Sequence, residues 1–424
     1  MTHLSEGKLY IKKRTFPQYL TSFVFLMPFF IATLTELVGL PSIVKYSIDV
    51  AWVILAVVLI CRKSLFLRRE MLPIIILVAV FFIYCLIDYL LHFQSIFYFL
   101  WGVRNNFRFF IAFFAFATFF DTDDAKVNLK FLDVLFWINA VVTAVQFFAL
   151  GYNQDYLGGI FGVVRGCNAY TIIFFCIVVG KSVLAFMDKQ ENMFICFAKC
   201  GISLIIGAMA ELKIYFLLFV IILFVSLFLT SFSYRKLLIV LISVVFLFFG
   251  NNLLVAIFGT SSQITLSRIF ELATQQNYAT AEDLNRLSAL PTISNTILRS
   301  IPEKLFGLGL GNCDTSTFAL CNTPFFESHA DLHYTWISSA FMFLETGYIG
   351  FTIYLGFFVI CCVYAIISLK KNTENKLFSQ LAIITSIVCF IVIFYNSSMR
   401  AEIAYVAYFV LALPFIARSN SQLN

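Results

Sequence analysis

The chain has 424 residues, of which 61% are apolar and only 12% are charged, and 53 of them are phenylalanine. A typical soluble chain is about half apolar and about a quarter charged, so this composition excludes a soluble globular protein, a disordered chain and a nucleic-acid binder. The net charge of +6 arises from 29 Lys and Arg against 23 Asp and Glu. In a membrane protein such an excess bears on orientation, and the composition predicts a polytopic membrane protein.

Continuous apolar runs, rather than alternating ones, predict transmembrane helices and not the strands of a barrel. A helix crosses the hydrocarbon core with about 20 mostly apolar residues, and the chain contains about twelve runs of that kind. We therefore predict an all-α fold. The expected spans are 17–40, 43–61, 71–92, 105–120, 131–150, 168–188, 194–212, 214–232, 237–258, 348–368, 377–396 and 402–417.

The positively charged residues predict the orientation of these spans. If the N-terminus is cytoplasmic, the inward turns and both tails hold 17 of the 29 Lys and Arg, whereas the short outward turns hold only six. Cytoplasmic loops of membrane proteins carry this kind of excess. We therefore expect both termini on the cytoplasmic side. The basic start of the chain runs directly into the first span without a small-residue cleavage site, which argues against a signal peptide.

One polar stretch interrupts the apolar pattern and divides the chain into three regions. Residues 1–258 are expected to form a nine-helix membrane region, 259–347 an extracytoplasmic loop, and 348–424 a three-helix membrane region with a cytoplasmic tail. We expect the loop to be helical from Thr280 to Ile301 and to turn at the glycine-rich stretch 307–311. Its last part, 333–347, is apolar but too short to span and is expected to lie against the membrane or dip into it.

Four cations gather on the predicted outer side of the protein: Arg165, Lys213, Arg286 and Arg400. Charges at membrane depth are energetically costly and are usually functional. Because the planar guanidinium donates two parallel hydrogen bonds, arginine suits phosphate, and such a cluster would fit a lipid-linked pyrophosphate. The alternative is that each cation extends to lipid head groups near a helix end.

Two of the four histidines in the chain, His329 and His333, are four residues apart and would share one face of a helix. A neutral imidazole there could act as general base on a sugar hydroxyl. Two other interpretations remain open. The pair could ligate a metal with Asp331, or His333 could orient the segment that it begins.

Other candidates have more ordinary explanations. Glu345 precedes a Gly-x-x-Gly pair and is interpreted chiefly as stabilising the following helix start. Arg104 and Arg108 would add to the outer cations or anchor their helix. The many phenylalanines are expected mainly to face lipid. Cys313 and Cys321 lie on the oxidising side and could form a disulfide, although Cys167 is a third outward thiol.

Several short motifs occur along the chain in the order typical of one protein family. They are Arg165-Gly166-Cys167-Asn168-Ala169, Ala210-Glu211-Leu212-Lys213, Asn285-Arg286-Leu287-Ser288-Ala289-Leu290, Leu305-Phe306-Gly307-Leu308-Gly309-Leu310-Gly311, Asp331-Leu332-His333 and Glu345-Thr346-Gly347-Tyr348-Ile349-Gly350. In this order, with a large outer loop before the last three spans, the chain resembles the O-antigen ligase and polymerase superfamily of bacterial surface-polysaccharide enzymes. Lys213 stands where many members carry arginine, and Tyr334 where many carry asparagine.

The resemblance implies an inverting, metal-independent glycosyltransferase of the bacterial cytoplasmic (inner) membrane, without a cofactor. Its donor would be an undecaprenyl-diphosphate-linked glycan and its acceptor a glycan on a lipid carrier or on lipid A-core. A flippase and a chain-length regulator would be further partners. Arg165 and Arg286 would bind the diphosphate, assisted by Lys213 and Arg400, and His333 would act on the acceptor hydroxyl. Secondary candidates are His329, Glu345 and Glu211.

The first expectation is a polymerase of O-antigen, capsule or exopolysaccharide repeat units, and the alternative is a ligase that transfers glycan to lipid A-core. A flippase for the same lipid-linked oligosaccharide is the rival from another class. Flippases of the inverted-repeat type show related halves and polar groups near the bilayer midplane, whereas here the polar groups gather at the outer face. A third alternative is a structural subunit of an assembly, without chemistry of its own. That alternative predicts that the cations and His333 do not come together in space.

Overall fold

The computed structural model of the chain describes residues 14–62, 68–230, 234–259, 284–316, 318–371 and 375–421. The regular structure of these residues is entirely helical, with no strand among them, which confirms the predicted fold class. The α-helices are α1 (Phe16–Ala32), α2 (Ser47–Cys61), α3 (Leu72–His92), α4 (Ile96–Phe119), α5 (Thr122–Phe148), α6 (Asn168–Met187), α7 (Met193–Met209), α8 (Lys213–Leu229), α9 (Tyr234–Phe258), α10 (Ala289–Thr296), α11 (Ile301–Phe306), α12 (Pro324–His329), α13 (Ser338–Lys371), α14 (Lys376–Ile393) and α15 (Ala404–Ser421).

Eight helical segments of the described residues are long and apolar enough to cross a membrane, which indicates a multi-pass membrane protein. They are Phe16–Leu37, Ser42–Cys61, Leu72–His92, Thr122–Phe148, Asn168–Met187, Tyr234–Leu253, Ser338–Lys371 and Lys376–Ile393. Shorter apolar helices cover Met193–Met209, Lys213–Leu229 and Ala404–Ala417. A helix thus overlaps each of the twelve predicted spans, while the number that cross the bilayer stays a prediction.

The last helix, α15, runs through the centre of the protein. Every residue from Ile403 to Ala417 is buried, and the helix packs against α4, α14 and α6. Aromatic rings fill the space around it: Phe113 lies edge-on to Phe415 at 5.5 Å between ring centroids. The expectation that phenylalanine mainly faces lipid is therefore wrong for α4, whose phenylalanines pack against α15. Large aromatic rings bury much apolar surface and fill a close-packed interior.

The loop predicted to be extracytoplasmic, which we call the outer loop, differs from its predicted helical course. Within the described residues, the helix expected over Thr280–Ile301 covers only Ala289–Thr296; positions 280–283 lie outside the described residues. A second helix starts at Ile301 because the Ser300 hydroxyl accepts a hydrogen bond from the Glu303 amide at 3.2 Å and the Glu303 carboxylate accepts one from the Ser300 amide at 3.1 Å. This reciprocal capping ends one segment and begins the next.

The short apolar segment expected to lie against the membrane is continuous with the tenth predicted span. Residues Ser338 to Gly347 form the first part of α13, and all ten are buried. The helix kinks at Gly347, where φ is 58°. A Cβ at this position would lie 2.5 Å from the Leu305 carbonyl carbon, so only glycine allows the outer loop to approach α13 so closely.

The glycine-rich turn 307–311 packs between α13 and α4. The Leu308 amide donates to the Leu344 carbonyl at 2.8 Å, and the Gly309 amide donates to the Glu345 carbonyl at 3.1 Å. On the other side, a Cβ on Gly311 would collide with the Tyr98 carbonyl oxygen. The turn therefore fixes the outer loop to the membrane helices through backbone contacts.

Candidate functional site

A cavity of about 740 Å³ lies where the start of α6, the α7–α8 turn and the α14–α15 connection meet. We call it the first cavity. Three of the four predicted cations, Arg165, Lys213 and Arg286, line it, together with Glu211. These residues come from three separate parts of the chain, so the fold brings together what the sequence places far apart.

Asn168 joins the Arg165 loop to the turn that carries Lys213. Its side-chain amide donates to the Asp155 carboxylate at 3.1 Å and to the carbonyl of Ala210, at the end of α7, at 3.2 Å. The chain then reverses at Glu211, whose φ of 53° is left-handed, and Lys213 starts α8. The asparagine of the predicted Arg-Gly-x-Asn motif thus positions two cations at one wall of the cavity.

Arg286 reaches the same cavity from the outer loop. Its Nε donates to the Tyr395 carbonyl at 2.9 Å, and its guanidinium carbon lies 4.4 Å from the centroid of the Tyr395 ring. The Leu284 amide donates to the Leu332 carbonyl at 3.2 Å, which ties the arginine segment to the histidine segment.

Trp336 connects Arg165 with His333. The indole lines the first cavity, and the Arg165 guanidinium carbon lies 5.2 Å from its centroid. The His333 ring stacks on the same indole at 3.9 Å between ring centroids. His333 is not among the residues that line either described cavity, so it contacts the site through Trp336.

The two histidines do not share a helix face, contrary to the sequence expectation. The helix α12 ends at His329, and His333 has a left-handed backbone with φ of 50°. His329 instead stacks on Phe325 at 4.3 Å between ring centroids. Among the described residues, no three His, Cys, Asp or Glu side chains come close enough to hold a metal, so His329, Asp331 and His333 form no ligand cluster.

The carboxylates of the first cavity are engaged by other groups. Glu36 accepts a hydrogen bond from the Val163 amide at 2.8 Å, Asp155 accepts from Asn168, and Glu211 forms an ion pair with Lys213 at 3.0 Å. In the described part of the chain, no carboxylate lies within ion-pair distance of Arg165, which is exposed. Its charge is directed to the cavity and to the face of Trp336.

The fourth predicted cation, Arg400, lines an adjacent cavity of about 560 Å³, which we call the second cavity. Arg104, Arg108 and Lys45 line it too, so the two arginines at the start of the fourth predicted span share a cavity with Arg400. Arg400 lies 3.5 Å from the Asp314 carboxylate. The four predicted cations therefore divide three to one between two cavities.

Glu402 is the functional candidate that the sequence interpretation missed. It lines both cavities, as do Ser397 and Ala401. Its carboxylate accepts a hydrogen bond from the Tyr170 hydroxyl at 2.5 Å and lies 3.5 Å from the Arg108 guanidinium. Burial favours the neutral acid, but Arg108 and the Tyr170 hydroxyl outweigh burial and hold the pKa of Glu402 below its ordinary value.

Glu345 lies outside both cavities. It is fully buried beneath the glycine-rich turn, and one carboxylate oxygen accepts from the Cys313 amide at 3.4 Å. The expected role at a helix start is wrong, because the helix begins at Ser338 and continues past Glu345; Glu345 instead contacts the backbone of the outer loop. Cys313 and Cys321 are both free thiols, and burial raises the pKa of the Cys313 thiol well above its ordinary value.

Trp336, Tyr395 and Glu402 complete the cavities, yet none was predicted. Trp336 is one of only four tryptophans in the chain and follows His333 by three residues, and Glu402 is a lone acid two residues after Arg400. Those positions were the only local signals for these residues. They do not indicate a cavity, because an aromatic residue near a membrane boundary commonly serves as an interfacial anchor.

No protein-family model matches this chain, and no curated protein matches it significantly.

Proposed function

We propose that the protein polymerises undecaprenyl-diphosphate-linked oligosaccharide repeat units into O-antigen, capsule or exopolysaccharide at the outer face of the bacterial cytoplasmic membrane. The observation that supports this most is the convergence of Arg165, Lys213 and Arg286 on one cavity of about 740 Å³. The ordered motifs that resemble the O-antigen ligase and polymerase superfamily point to the same substrate.

The charges of the first cavity suit a diphosphate. A leaving diphosphate gains negative charge as its bond to the sugar breaks, and fixed cations stabilise that charge most in a site with little water. Arg165 and Arg286 present planar guanidinium groups capable of paired hydrogen bonds, whereas Lys213 supplies a point charge. Because Lys213 forms an ion pair with Glu211, we assign the larger contribution to diphosphate binding to the two arginines.

The proposed reaction is a single displacement at the anomeric carbon. The acceptor hydroxyl attacks this carbon, the bond to the diphosphate oxygen breaks, and the lipid diphosphate leaves with the bonding electrons. This course inverts the configuration of the sugar. The His333 ring stacks on Trp336 rather than lining the cavity, so its contribution to the transfer is transmitted by the indole that also contacts Arg165.

The proposed orientation places the cavities outside the cell. The distribution of Lys and Arg favours cytoplasmic termini, and with that orientation the starts of α6, α8 and α15 all lie at the outer end of their helices. The first cavity would then meet substrate that has already been moved across the membrane. A chain-length regulator and a flippase are the expected partners of such a polymerase.

Elongation by the purified protein tests this proposal. The protein is reconstituted in liposomes with a defined lipid-linked repeat unit, and the products are separated by size. We expect a ladder of longer glycans from the native chain and, from Arg286→Ala, a rate lower by about 100-fold or more. Arg299→Ala, which removes an exposed arginine outside both cavities, is the matched control.

Three outcomes would contradict the polymerase. Transport of the lipid-linked glycan without any elongation would identify a flippase. Transfer only when lipid A-core is supplied would identify a ligase. Elongation by Arg286→Ala at the native rate would separate the activity from the first cavity.

A further inference from the structure

The two cavities meet at one short segment, Ser397–Glu402. Ser397, Ala401 and Glu402 each line both cavities, so this segment forms the wall that the two cavities share. Of these three residues only Glu402 carries an ionisable side chain. It is therefore the one acid or base of the wall that faces both spaces.

The second cavity has the lining of a carbohydrate site. Tyr46 and Trp101 contribute aromatic rings, each of which has one contact with the Arg104 guanidinium, at 5.2 and 4.7 Å. Thr315 and Ser316 contribute hydroxyls that can exchange hydrogen bonds with a ligand, and Lys45 contributes a positive charge. Its volume of about 560 Å³ falls within the range of sites that enclose small molecules. Aromatic faces combined with a few polar groups suit a ligand that is apolar on one side and hydroxylated at its edge.

Three of the cations around the second cavity are already neutralised by acids, so the cavity does not carry the excess charge that a diphosphate needs. Arg104 donates two hydrogen bonds to Asp49, at 3.1 and 2.9 Å, Arg400 lies 3.5 Å from Asp314, and Arg108 pairs with Glu402. Of the four cations that line the second cavity, only Lys45 has no carboxylate within ion-pair distance among the described residues. The diphosphate therefore belongs in the first cavity and an uncharged or weakly charged group in the second.

We propose that the second cavity holds the sugar of the acceptor, and that the Glu402 carboxylate is the general base that takes the proton of the attacking hydroxyl. This inference rests on the proposed transferase function, since it needs a donor diphosphate in the first cavity. Glu402 then stands between the donor sugar and the acceptor sugar, where proton transfer has to occur.

The proposed step is balanced within the site. The acceptor O–H bond breaks and its proton passes to a carboxylate oxygen of Glu402, while the acceptor oxygen forms a bond to the anomeric carbon. The bond from that carbon to the diphosphate breaks, and its electron pair leaves with the lipid diphosphate. A carboxylate has this role opposite the leaving group in inverting glycosidases, where the general base activates water.

The charges around Glu402 keep it in the basic form. Arg108 and Arg104 face it from α4, the Tyr170 hydroxyl from α6 and Tyr405 from α15. An ionised carboxylate with one strong hydrogen bond from a neutral hydroxyl can accept a proton without leaving the site. His333, by comparison, lines neither cavity and stacks on Trp336, which lines the first.

Substitution of Glu402 tests the assignment. With an acceptor glycan on a short alkyl chain that lacks diphosphate, so that it cannot serve as donor, we expect Glu402→Gln to lower kcat by about 100- to 10,000-fold. Inhibition by undecaprenyl diphosphate, which reports on the first cavity, should change less than threefold. Glu327→Gln, an exposed carboxylate outside both cavities, is the matched control and should retain native kcat.

Tyr170→Phe provides a second test that does not break the ion pair between Glu402 and Arg108. Removal of the hydroxyl destabilises the ionised carboxylate, so its pKa rises and more of it is protonated at a given pH. We therefore expect the acid limb of the kcat profile to move to higher pH by about one to two units, the range that corresponds to a hydrogen bond to a charged group. A purely structural Glu402 would lower activity without moving this limb.

Trp101→Leu tests the acceptor site itself. We expect the KM for the alkyl-linked acceptor to rise up to about tenfold while the KM for the donor stays constant, because the lost contact is with the acceptor ring. A KM change for the donor alone would overturn the assignment of the second cavity.

The results separate this inference from the proposed function. If the native protein elongates glycan but Glu402→Gln retains kcat, or if Tyr170→Phe leaves the acid limb in place, the general base is not Glu402 and the transferase proposal still stands. A folded His333→Phe variant that loses activity by as much as we expect for Glu402→Gln would reassign the base to His333. If the native protein elongates nothing, the transferase proposal itself fails.

Discussion

Arg165 has no carboxylate within ion-pair distance among the described residues. It is exposed at the first cavity, and its guanidinium lies over Trp336 rather than beside a carboxylate. Arg286, by contrast, is held by the Tyr395 carbonyl and ring, which suits a residue that fixes a ligand in place. Two arginines with different restraints can therefore contribute differently to binding and to the transition state.

We predict that Arg165→Lys and Arg165→Ala differ strongly. Lysine keeps the charge but loses the paired donors and the flat stacking surface, so kcat should fall by about tenfold, whereas alanine should lower it by about 100- to 1,000-fold. Initial rates of glycan elongation measure both. Equal rates for the two variants would show that the geometry of the guanidinium is irrelevant.

The residues of the site illustrate what a sequence can predict at this scale. Scarce charges in an apolar chain are informative because burial of a charge is costly, and Arg165, Lys213 and Arg286 do converge. Glu402 and Trp336 gain their significance only from neighbours distant in the chain. Nothing local to Glu402 predicts Tyr170 as its hydrogen-bond donor, since the contact depends on how α6 packs against the α14–α15 connection.

At the scale of elements, the glycine-rich turn controls how the outer loop docks. Gly311 has a φ of 83°, and a Cβ there would collide with the Tyr98 carbonyl oxygen. Gly151 has a φ of 75° but nothing within 4 Å of the added atom. Alanine at either position would therefore have a strained left-handed backbone, but only at Gly311 would its Cβ also collide with another atom.

We predict that Gly311→Ala destabilises the protein by about 2–5 kcal/mol, the sum of left-handed strain and overpacking. Gly151→Ala should cost about 1–2 kcal/mol, from strain alone. Thermal unfolding of the detergent-solubilised variants measures the difference. Equal midpoints would mean that the close approach of the turn to α4 adds nothing to stability.

A second element-scale feature is an ion cluster that joins α5, α6 and α7. Asp133 pairs with Lys181 and, at 2.9 Å, with Lys199, and Lys199 also contacts Glu191 at 2.7 Å. Lys181 lies about 20 Å along α6 from the helix start beside the first cavity, from the rise per residue of an α-helix. The cluster therefore stabilises helix packing at a distance from the proposed chemistry.

We predict that Asp133→Asn lowers stability by about 1–3 kcal/mol, less than the loss of a fully buried pair, because Lys199 keeps Glu191. Activity per folded molecule should remain native, which thermal unfolding and elongation assays on the same sample measure together. Asp123→Asn, an exposed carboxylate near the start of α5, is the control. A loss of specific activity by Asp133→Asn would couple this cluster to the cavities.

The positions of the helices were more predictable than their ends. An apolar run of about 20 residues has no other way to satisfy its backbone in a bilayer, so a helix appears at each expected span. The start of α13 was not foreseen, because Gly347 marks the expected boundary while the helix continues through a kink there. The break between α10 and α11 depends on the Ser300 cap, a local signal that the longer helical pattern concealed.

The whole molecule surrounds a buried last helix, α15, and opens both cavities near one end of it. α15 begins at Ala404, two residues after Glu402, so the rigid core positions the proposed base directly. The cavities and the Asp133 cluster lie toward opposite ends of α6. In the proposed orientation, the cavities would therefore face one side of the membrane and the Asp133 cluster the other.

The orientation can be tested through exposed positions at the two ends. We predict that Glu327→Cys reacts with a membrane-impermeant maleimide in intact spheroplasts, because residue 327 lies in the predicted extracytoplasmic loop, whereas Asp123→Cys, in a predicted cytoplasmic turn, reacts only after permeabilisation. Both side chains are exposed, so access to the reagent and not burial decides the result. The native chain gives the background from its own cysteines, among them exposed Cys61 on the predicted inner side. The reverse labelling pattern would place the cavities in the cytoplasm and exclude the proposed reaction at the outer face.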